Sequence, residues 1–471
     1  MASWQHIDII VDGQPIKAQA PIIVSASRST DIPAFYADWF FDRLEKGFSA
    51  WTNPFNGVKS YVSYDNTRFI VFWSKNPRPL LPYLHILKKR NIKCYIQYTL
   101  NDYEQEKLEK VPSLTNRIET FKMLVEQLGK GSVIWRFDPM ILTDDISVDD
   151  LLRKVQNIGD QLKDYTEKLV FSYADIAMYK KVKHNLEVNG IPYHEWEIEQ
   201  MEEFADKLSV MNRECGWNFQ LATCGEKINI EKYDIKHNRC IDGDLITRLA
   251  WDDKELMDFM KVKIEDVPAP TLFGEPELPK GAILLPKNHY FISTHKKDPG
   301  QRQFCECMAS KDIGEYNTCP HLCEYCYANT TKQLALENWK CHQENKYSDT
   351  ITGKINMPNF VDIFSQRANI SFLGMRNVAM SMLPTNKMEL DKLYNDLKRG
   401  KGILDDDPHL NMYLRSFGKM HKAKLDAAFN SIQSPSDLFQ QKLDIYDWGC
   451  GQGTATICLL DFLKSKKSTA I

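Results

Sequence analysis

The chain predicts an α/β fold: a parallel (β/α) barrel or partial barrel with a cysteine-rich C-terminal extension, then a helical segment and the start of a second α/β domain. Three observations predict it. Between residues 22 and 224, short β-branched or aromatic runs alternate with amphipathic stretches, which implies parallel strands joined by right-handed crossovers. Among the 12 cysteines, Cys305, Cys307, Cys319, Cys323 and Cys326 crowd into one short window. Near the C-terminus a strand-like run leads into closely spaced glycines and an apolar helix.

Six runs read as strands: 22–27 (IIVSAS), 69–74 (FIVFWS), 93–100 (KCYIQYTL), 132–138 (SVIWRFD), 168–173 (KLVFSY) and 218–224 (NFQLATC). Between them AFYADWFFDRLEKG, LTNRIETFKMLVEQLG and WEIEQMEEFADKLSVMNREC repeat apolar residues at helical spacing. Each run ends in residues that a core would not choose: Ser27 and Arg28, Lys75 and Asn76, Gln97 and Thr99, Arg136 and Asp138, Ser172, and Thr223 with Cys224. The C-terminal strand ends form the active-site face of α/β barrels, so Arg28, Lys75, Arg136 and Asp138 are the candidate catalytic and positioning residues. Arg136 and Asp138 can equally pair with each other inside the barrel. Asp31, before Pro33, can cap a helix or act at the site.

Residues 262–300, rich in Pro, Gly and Lys, read as a linker or wrapping segment. A helix is expected within 328–346, and helical sequence again from 377 to about 439, interrupted at Gly400 and before His409. The expected division is a barrel over 1–262, a linker and cysteine-rich segment over 263–345, and a helical segment with an incomplete domain over 346–471. Sixty Lys and Arg against 63 Asp and Glu give a net charge of -3, so the overall field does not favour nucleic acid. No apolar run approaches the ~20 residues that span a bilayer. The start, MASWQHIDII, lacks a basic stretch followed by an apolar one, so a cytoplasmic protein without membrane contact is expected.

An even spread would place about half a cysteine in a window the length of 305–326. In a cytosolic chain such clustered thiols point to metal or cluster ligands rather than disulfides. Cys319, Cys323 and Cys326 have the spacing C-x3-C-x2-C. Three thiolates on one loop can hold three irons of a [4Fe-4S] cluster and leave the fourth open, whereas structural zinc needs four protein ligands. Cys305 and Cys307 stand outside this loop, and Cys224 and Cys240 are the candidates to complete four thiolates with them, for zinc or a second cluster. Alternatively one of these four caps the first cluster. A non-catalytic reading also stands: a metal-stabilised interaction module whose cysteines staple a tail onto the barrel.

The loop resembles the signature of radical S-adenosylmethionine enzymes. That resemblance implies S-adenosylmethionine bound at the open iron, an electron donor protein, and cleavage to a 5'-deoxyadenosyl radical. In that superfamily the loop follows the first barrel strand. Here it lies after the strands, so the fold has to carry a C-terminal loop to the barrel mouth. Together with IIVSASRSTDIPAFYADWFFDRL, VFWSKNP, VIWRFDP and SKDIGEYNTCPHLCEYCYAN, the chain resembles over about residues 20–335 a bacterial family catalogued only as a domain of unknown function, number 1848. That family brings no established reaction, so the substrate is open.

In KLDIYDWGCGQGTATICLLDFL, Asp447, Gly449, Gly451 and Gly453 lie between a strand and a helix, where glycines let the backbone approach a ligand. The segment is similar to motif I of class I S-adenosylmethionine methyltransferases, a Rossmann-like fold, which implies cofactor binding by these four residues. The residues after Gly453 suffice for one helix and not for the next strand. An incomplete domain is expected: a fragment, a truncated product, or a half completed by an additional chain. Once completed, it would act as a methyltransferase on nucleic acid or protein.

Overall fold

The six strand runs form consecutive strands of one parallel sheet in a computed structural model, which describes residues 4–52, 59–269, 278–354, 371–398, 406–431 and 453–467. In chain order the sheet contains β1 (Ile23–Ala26), β2 (Phe69–Ser74), β3 (Lys93–Thr99), β4 (Val133–Met140), β5 (Lys168–Tyr173), β6 (Gln220–Thr223), β7 (Ile235–His237) and β8 (Lys311–Asp312). The spatial order is β7-β6-β5-β4-β3-β2-β1-β8, and every neighbouring pair is parallel. Among the described residues no pairing joins β7 to β8. The fold is therefore an α/β fold with an open eight-stranded parallel sheet, and the closed barrel is not seen.

Packing explains why the edges stay apart. The intervening helices are α1 (Ile32–Phe35), α2 (Ala37–Lys46), α3 (Leu84–Lys89), α4 (Leu114–Leu128), α5 (Val148–Leu162), α6 (Lys180–Val188) and α7 (Ile198–Glu214). Phe40, Phe121, Val155 and Phe204 from these helices join one sheet face through Ile70, Phe72, Trp135 and Phe171. After β7 come α8 (Gly243–Ala250) and α9 (Lys254–Met260). Their Leu245, Ile246 and Met257, with Ile241, Cys307 and Met308, cover Ile23, Phe69, Val71, Tyr95, Ile134 and Val170 on the opposite face. The face that a closed barrel would turn inward is thus occupied by chain. Side chains alternate along a strand, and burial on both faces makes these runs continuously apolar. Each large side chain buried this way contributes about 1.5–3 kcal/mol.

The polar exceptions sit where the strands end. On the second face the pattern Ile23, Tyr95, Ile134, Val170 gives way toward the C-terminal ends to Ser25, Gln97, Arg136 and Ser172, while Trp73 and Cys224 continue the apolar cover at two strand ends.

The stretch expected to form one helix from 34 to 47 breaks at Tyr36 into α1 and α2. Tyr36 is fully buried, and its hydroxyl donates to the Thr318 carbonyl far along the chain, a tertiary demand that local periodicity does not carry. Two small sheets add to the expectation. One contains His6–Val11, Gln14–Gln19, Lys59–Ser63 and Phe48–Thr52. The other, within the stretch read as a linker, contains Glu265–Asp266, His289–Ile292 and Ala282–Leu285. Helix α10 (Lys332–Glu344) follows the cysteine-rich segment.

The chain divides into two compact units, Met1–Lys354 and Ile355–Ile471. The second has helices α11 (Phe372–Ser381), α12 (Lys387–Asp396), α13 (Asp407–Ser431) and α14 (Thr454–Lys467), with a core of Phe372, Met375, Ala379, Leu414, Ile457 and Cys458. Asp447, Gly449 and Gly451 lie outside the described residues. Gly453, with φ 67°, directly precedes α14. Among the described residues no helix is long and apolar enough to cross a membrane.

Candidate functional site

A single aspartate brings the C-terminal segment to the strand ends. β8 has two residues, Lys311 and Asp312, paired with Val24 and Ser25 of β1. The Asp312 carboxylate accepts from Ser25 Oγ at 2.8 Å, Ser27 Oγ at 2.9 Å, the Arg28 amide at 2.9 Å and the Gly314 amide at 3.0 Å. Gly314 is needed for the crossing itself: a Cβ there would stand 1.8 Å from Ser27 Oγ.

Beyond this crossing the loop 319–326 lies against the segments that follow β1, β2 and β3. Asp31 joins three elements. Its carboxylate caps α1 by accepting from the Ala34 amide at 3.0 Å, accepts from the Lys75 amide at 2.7 Å, and meets His321 Nε2 at 2.8 Å. The capping role expected of Asp31 is real, and it also ties the cysteine loop to the sheet. The His321 main chain and side chain both bond Lys110, and the Glu324 amide donates to the Leu108 carbonyl. Asn329 Nδ2 donates to the Cys319 carbonyl at 2.8 Å, and the Asn329 amide donates to Cys326 Sγ at 3.3 Å.

Lys75 does not stand free in the mouth. Its Nζ is 2.7 Å from Glu109 Oε1 and 2.9 Å from the Tyr325 hydroxyl, which also bonds Glu109 and accepts from Asn101 Nδ2 at 3.1 Å. Burial alone would lower the Lys75 ammonium, but Glu109 and the Cys323 thiol outweigh it and hold it above its ordinary value. Burial likewise opposes ionisation of Glu109, yet Lys75 and Arg117 win and hold it below the usual carboxylate value. Burial raises the Cys319 thiol to about 12 and pushes Cys323 up as well, Lys75 opposing the latter.

Farther along the rim, Arg136 pairs with Asp138, whose other oxygen accepts from Ser172. The remaining Arg136 amino group donates to Gln97 Oε1 at 3.1 Å and Cys240 Sγ at 3.2 Å. Arg28 lies over Trp73, 5.3 Å from the ring centre, and its buried Nη2 has no hydrogen-bond partner among the described residues. The four outlying cysteines gather beside these guanidinium groups: Cys224 and Cys240 are 3.4 Å apart at sulfur, and Cys307 reaches both Cys240 and Cys305. Hydrogen bonds from Cys224 and Cys307, with the two guanidinium groups, pull the Cys240 thiol well below its ordinary value against the effect of burial. As the side chains stand, no group of three or more His, Cys, Asp or Glu among the described residues converges in metal-holding geometry.

The structure thus brings two groups to one end of the sheet. Lys75 lies with the C-x3-C-x2-C loop; Arg28, Arg136 and Asp138 lie with Cys224, Cys240, Cys305 and Cys307. Tyr327, the residue after the loop, donates to the Arg28 carbonyl and joins the two. Sequence reasoning missed Glu109, Asn101, His321 and Glu226. Burial, helped by nearby Asp138 and Asp175, raises the Glu226 carboxyl to about 7.

A family model described as a domain of unknown function (DUF1848) matches residues 23–328, a span that contains both groups. No curated protein and no solved structure matches the chain.

Proposed function

The chain belongs to the DUF1848 family, and we propose that it is an iron-sulfur protein of the radical S-adenosylmethionine type whose cluster loop closes over the strand ends of an open parallel sheet. The observation that carries the reading is the docking of the C-x3-C-x2-C loop through Asp31, Lys75, Asn101 and Glu109. Cys319, Cys323 and Cys326 would hold a [4Fe-4S] cluster. Three thiolates within one loop fit a cube with one iron left for an external ligand. When bound, such a cluster supplies one-electron chemistry to S-adenosylmethionine.

The chain's own residues have separate tasks. Loop anchoring falls to His321, Tyr325 and Asn329, none of which uses a cysteine side chain as its main support. The Lys75 ammonium offsets thiolate charge at Cys323. At the neighbouring strand ends Arg28 and Asp138 would position the substrate, and Arg136, buried against Gln97, Cys240 and Asp138, holds Asp138 in place. An electron donor protein completes the system.

The test is an anaerobic incubation of the full chain with dithionite and S-adenosylmethionine, with 5'-deoxyadenosine measured by chromatography. Wild-type protein is expected to form it and Cys323→Ala to form none. A cluster-loaded wild type that leaves S-adenosylmethionine intact contradicts the enzymatic reading.

A further inference from the structure

Cys224, at the end of β6, Cys240, in the loop after β7, and Cys305 and Cys307, ahead of β8, come from three separate stretches of chain, and their thiols follow one another in a chain of contacts, Cys224 to Cys240 to Cys307 to Cys305, that has to draw together to hold an ion. We propose that these four cysteines form a tetrathiolate site for a single zinc ion, distinct from the loop thiols and independent of their chemistry.

The spacing of the closest pair suits a single ion. A tetrahedral site with zinc-sulfur bonds of about 2.3 Å places its sulfurs about 3.8 Å apart. Cys224 and Cys240 are 3.4 Å apart, so a small movement admits one ion between them, whereas thiolates on different irons of a cube cannot touch. The surroundings suit thiolates. Cys240 Sγ accepts from Arg136 Nη1 and from Asn238 Nδ2, each at 3.2 Å, and Cys307 Sγ accepts from the Ile241 amide at 3.4 Å. Such donors orient and stabilise metal-bound sulfur. Four thiolates around a dication leave two negative charges, and Arg28 and Arg136 both face the group. The Nη2 of Arg28, without a partner among the described residues, gives one of these cations an unused donor there.

Burial sorts the ligands. Cys240 and Cys307 are only 6% and 2% exposed; Cys224 and Cys305 are half-buried, and Cys305, at the far end of the chain of contacts, lies 3.8 Å from Gln301 Oε1. Cys305 is therefore the ligand that must turn inward. The segment between 293 and 310 has no helix or strand, and it leads directly into β8 and the cluster loop. Zinc at its end would fasten this tail to the edge of the sheet, as closed structural zinc sites do.

The test uses the full chain carrying Cys319→Ala, Cys323→Ala and Cys326→Ala, so that failure of the cluster reading leaves it unaffected. Zinc per chain is measured after anaerobic purification from zinc-supplemented medium, and cobalt(II) is then exchanged in to read the thiolate charge-transfer band. About one zinc per chain and a tetrathiolate cobalt spectrum are expected. Adding Cys305→Ser, at a half-buried ligand, should weaken zinc retention against a chelator more than about tenfold without unfolding the chain. A folded triple variant free of zinc overturns the proposal. So does a Cys224 to Cys240 disulfide, or iron in place of zinc on these four cysteines.

Discussion

At the scale of single residues, Glu109 carries more than its surroundings in sequence suggest. It lies in KLEKVP, a charge run that reads as a solvated surface, yet its side chain is 1% exposed and faces Lys75 at 2.7 Å and Arg117 at 3.9 Å. Lys75 is 34 residues away and Tyr325 is 216 away, so no local pattern could have announced the network. His321 was invisible for a related reason: between two cysteines it reads as a spacer, and its partner Asp31 lies 290 residues earlier. Removing one member of a buried ion pair strands the other charges. Glu109→Ala should therefore cost about 3–5 kcal/mol in urea unfolding. A loss below about 1 kcal/mol, the worth of a surface pair, would mean that the network does not hold the loop.

Among the elements, the clearest contrast is between the strands that sequence predicted and the one that matters most for the site. Phe69–Ser74 and Lys168–Tyr173 match their predicted bounds because strands buried on both faces are runs of apolar residues bounded by polar ones. Lys311–Asp312 has neither length nor hydrophobicity, and only pairing with β1 makes it a strand. Its continuation depends on Gly314. In Gly314→Ala the new methyl group would meet Ser27 Oγ at 1.8 Å and Ser27 Cβ at 2.6 Å. The expected cost is about 1–3 kcal/mol, with reduced iron loading. Adding Ser27→Gly removes the two nearer obstructing atoms, leaving Ser29 Oγ at 2.7 Å, and should restore part of each. Unchanged stability and iron content in Gly314→Ala would show that the crossing is not tight.

In the second unit, α12 and α13 are joined through His409, whose ring meets Asp406 at 2.6 Å and Asp396 at 3.6 Å. The hydrogen bond to Asp406 is the main reason its pKa is raised, burial opposing. A raised histidine pKa gives stability that is full below the unfolded value, about 6.5, and lost as pH climbs through the folded value. Unfolding of the second unit, followed in the full chain, should become easier from about pH 6 to 8. His409→Gln should flatten that dependence; an unchanged slope would assign it to other groups.

For the whole molecule, alternation of strands and helices correctly announced a parallel sheet, and the polar residues at the strand ends lie together at one end of it. Closure was not readable. Whether such a sheet closes depends on its last strands, here of three and two residues, and on α8 and α9 occupying the inward face. The delivery of a C-terminal loop to the mouth was a requirement of the radical-enzyme resemblance, and Asp312 with Asp31 supplies the means. The measurement that bears most directly on the cluster is iron and acid-labile sulfide per chain after anaerobic purification, compared between wild type and Cys323→Ala. About four irons and four sulfides in wild type, with visible absorption lost in the variant, are expected. Zinc without iron in wild type, or iron unchanged by Cys323→Ala, would contradict a cluster on the 319–326 loop.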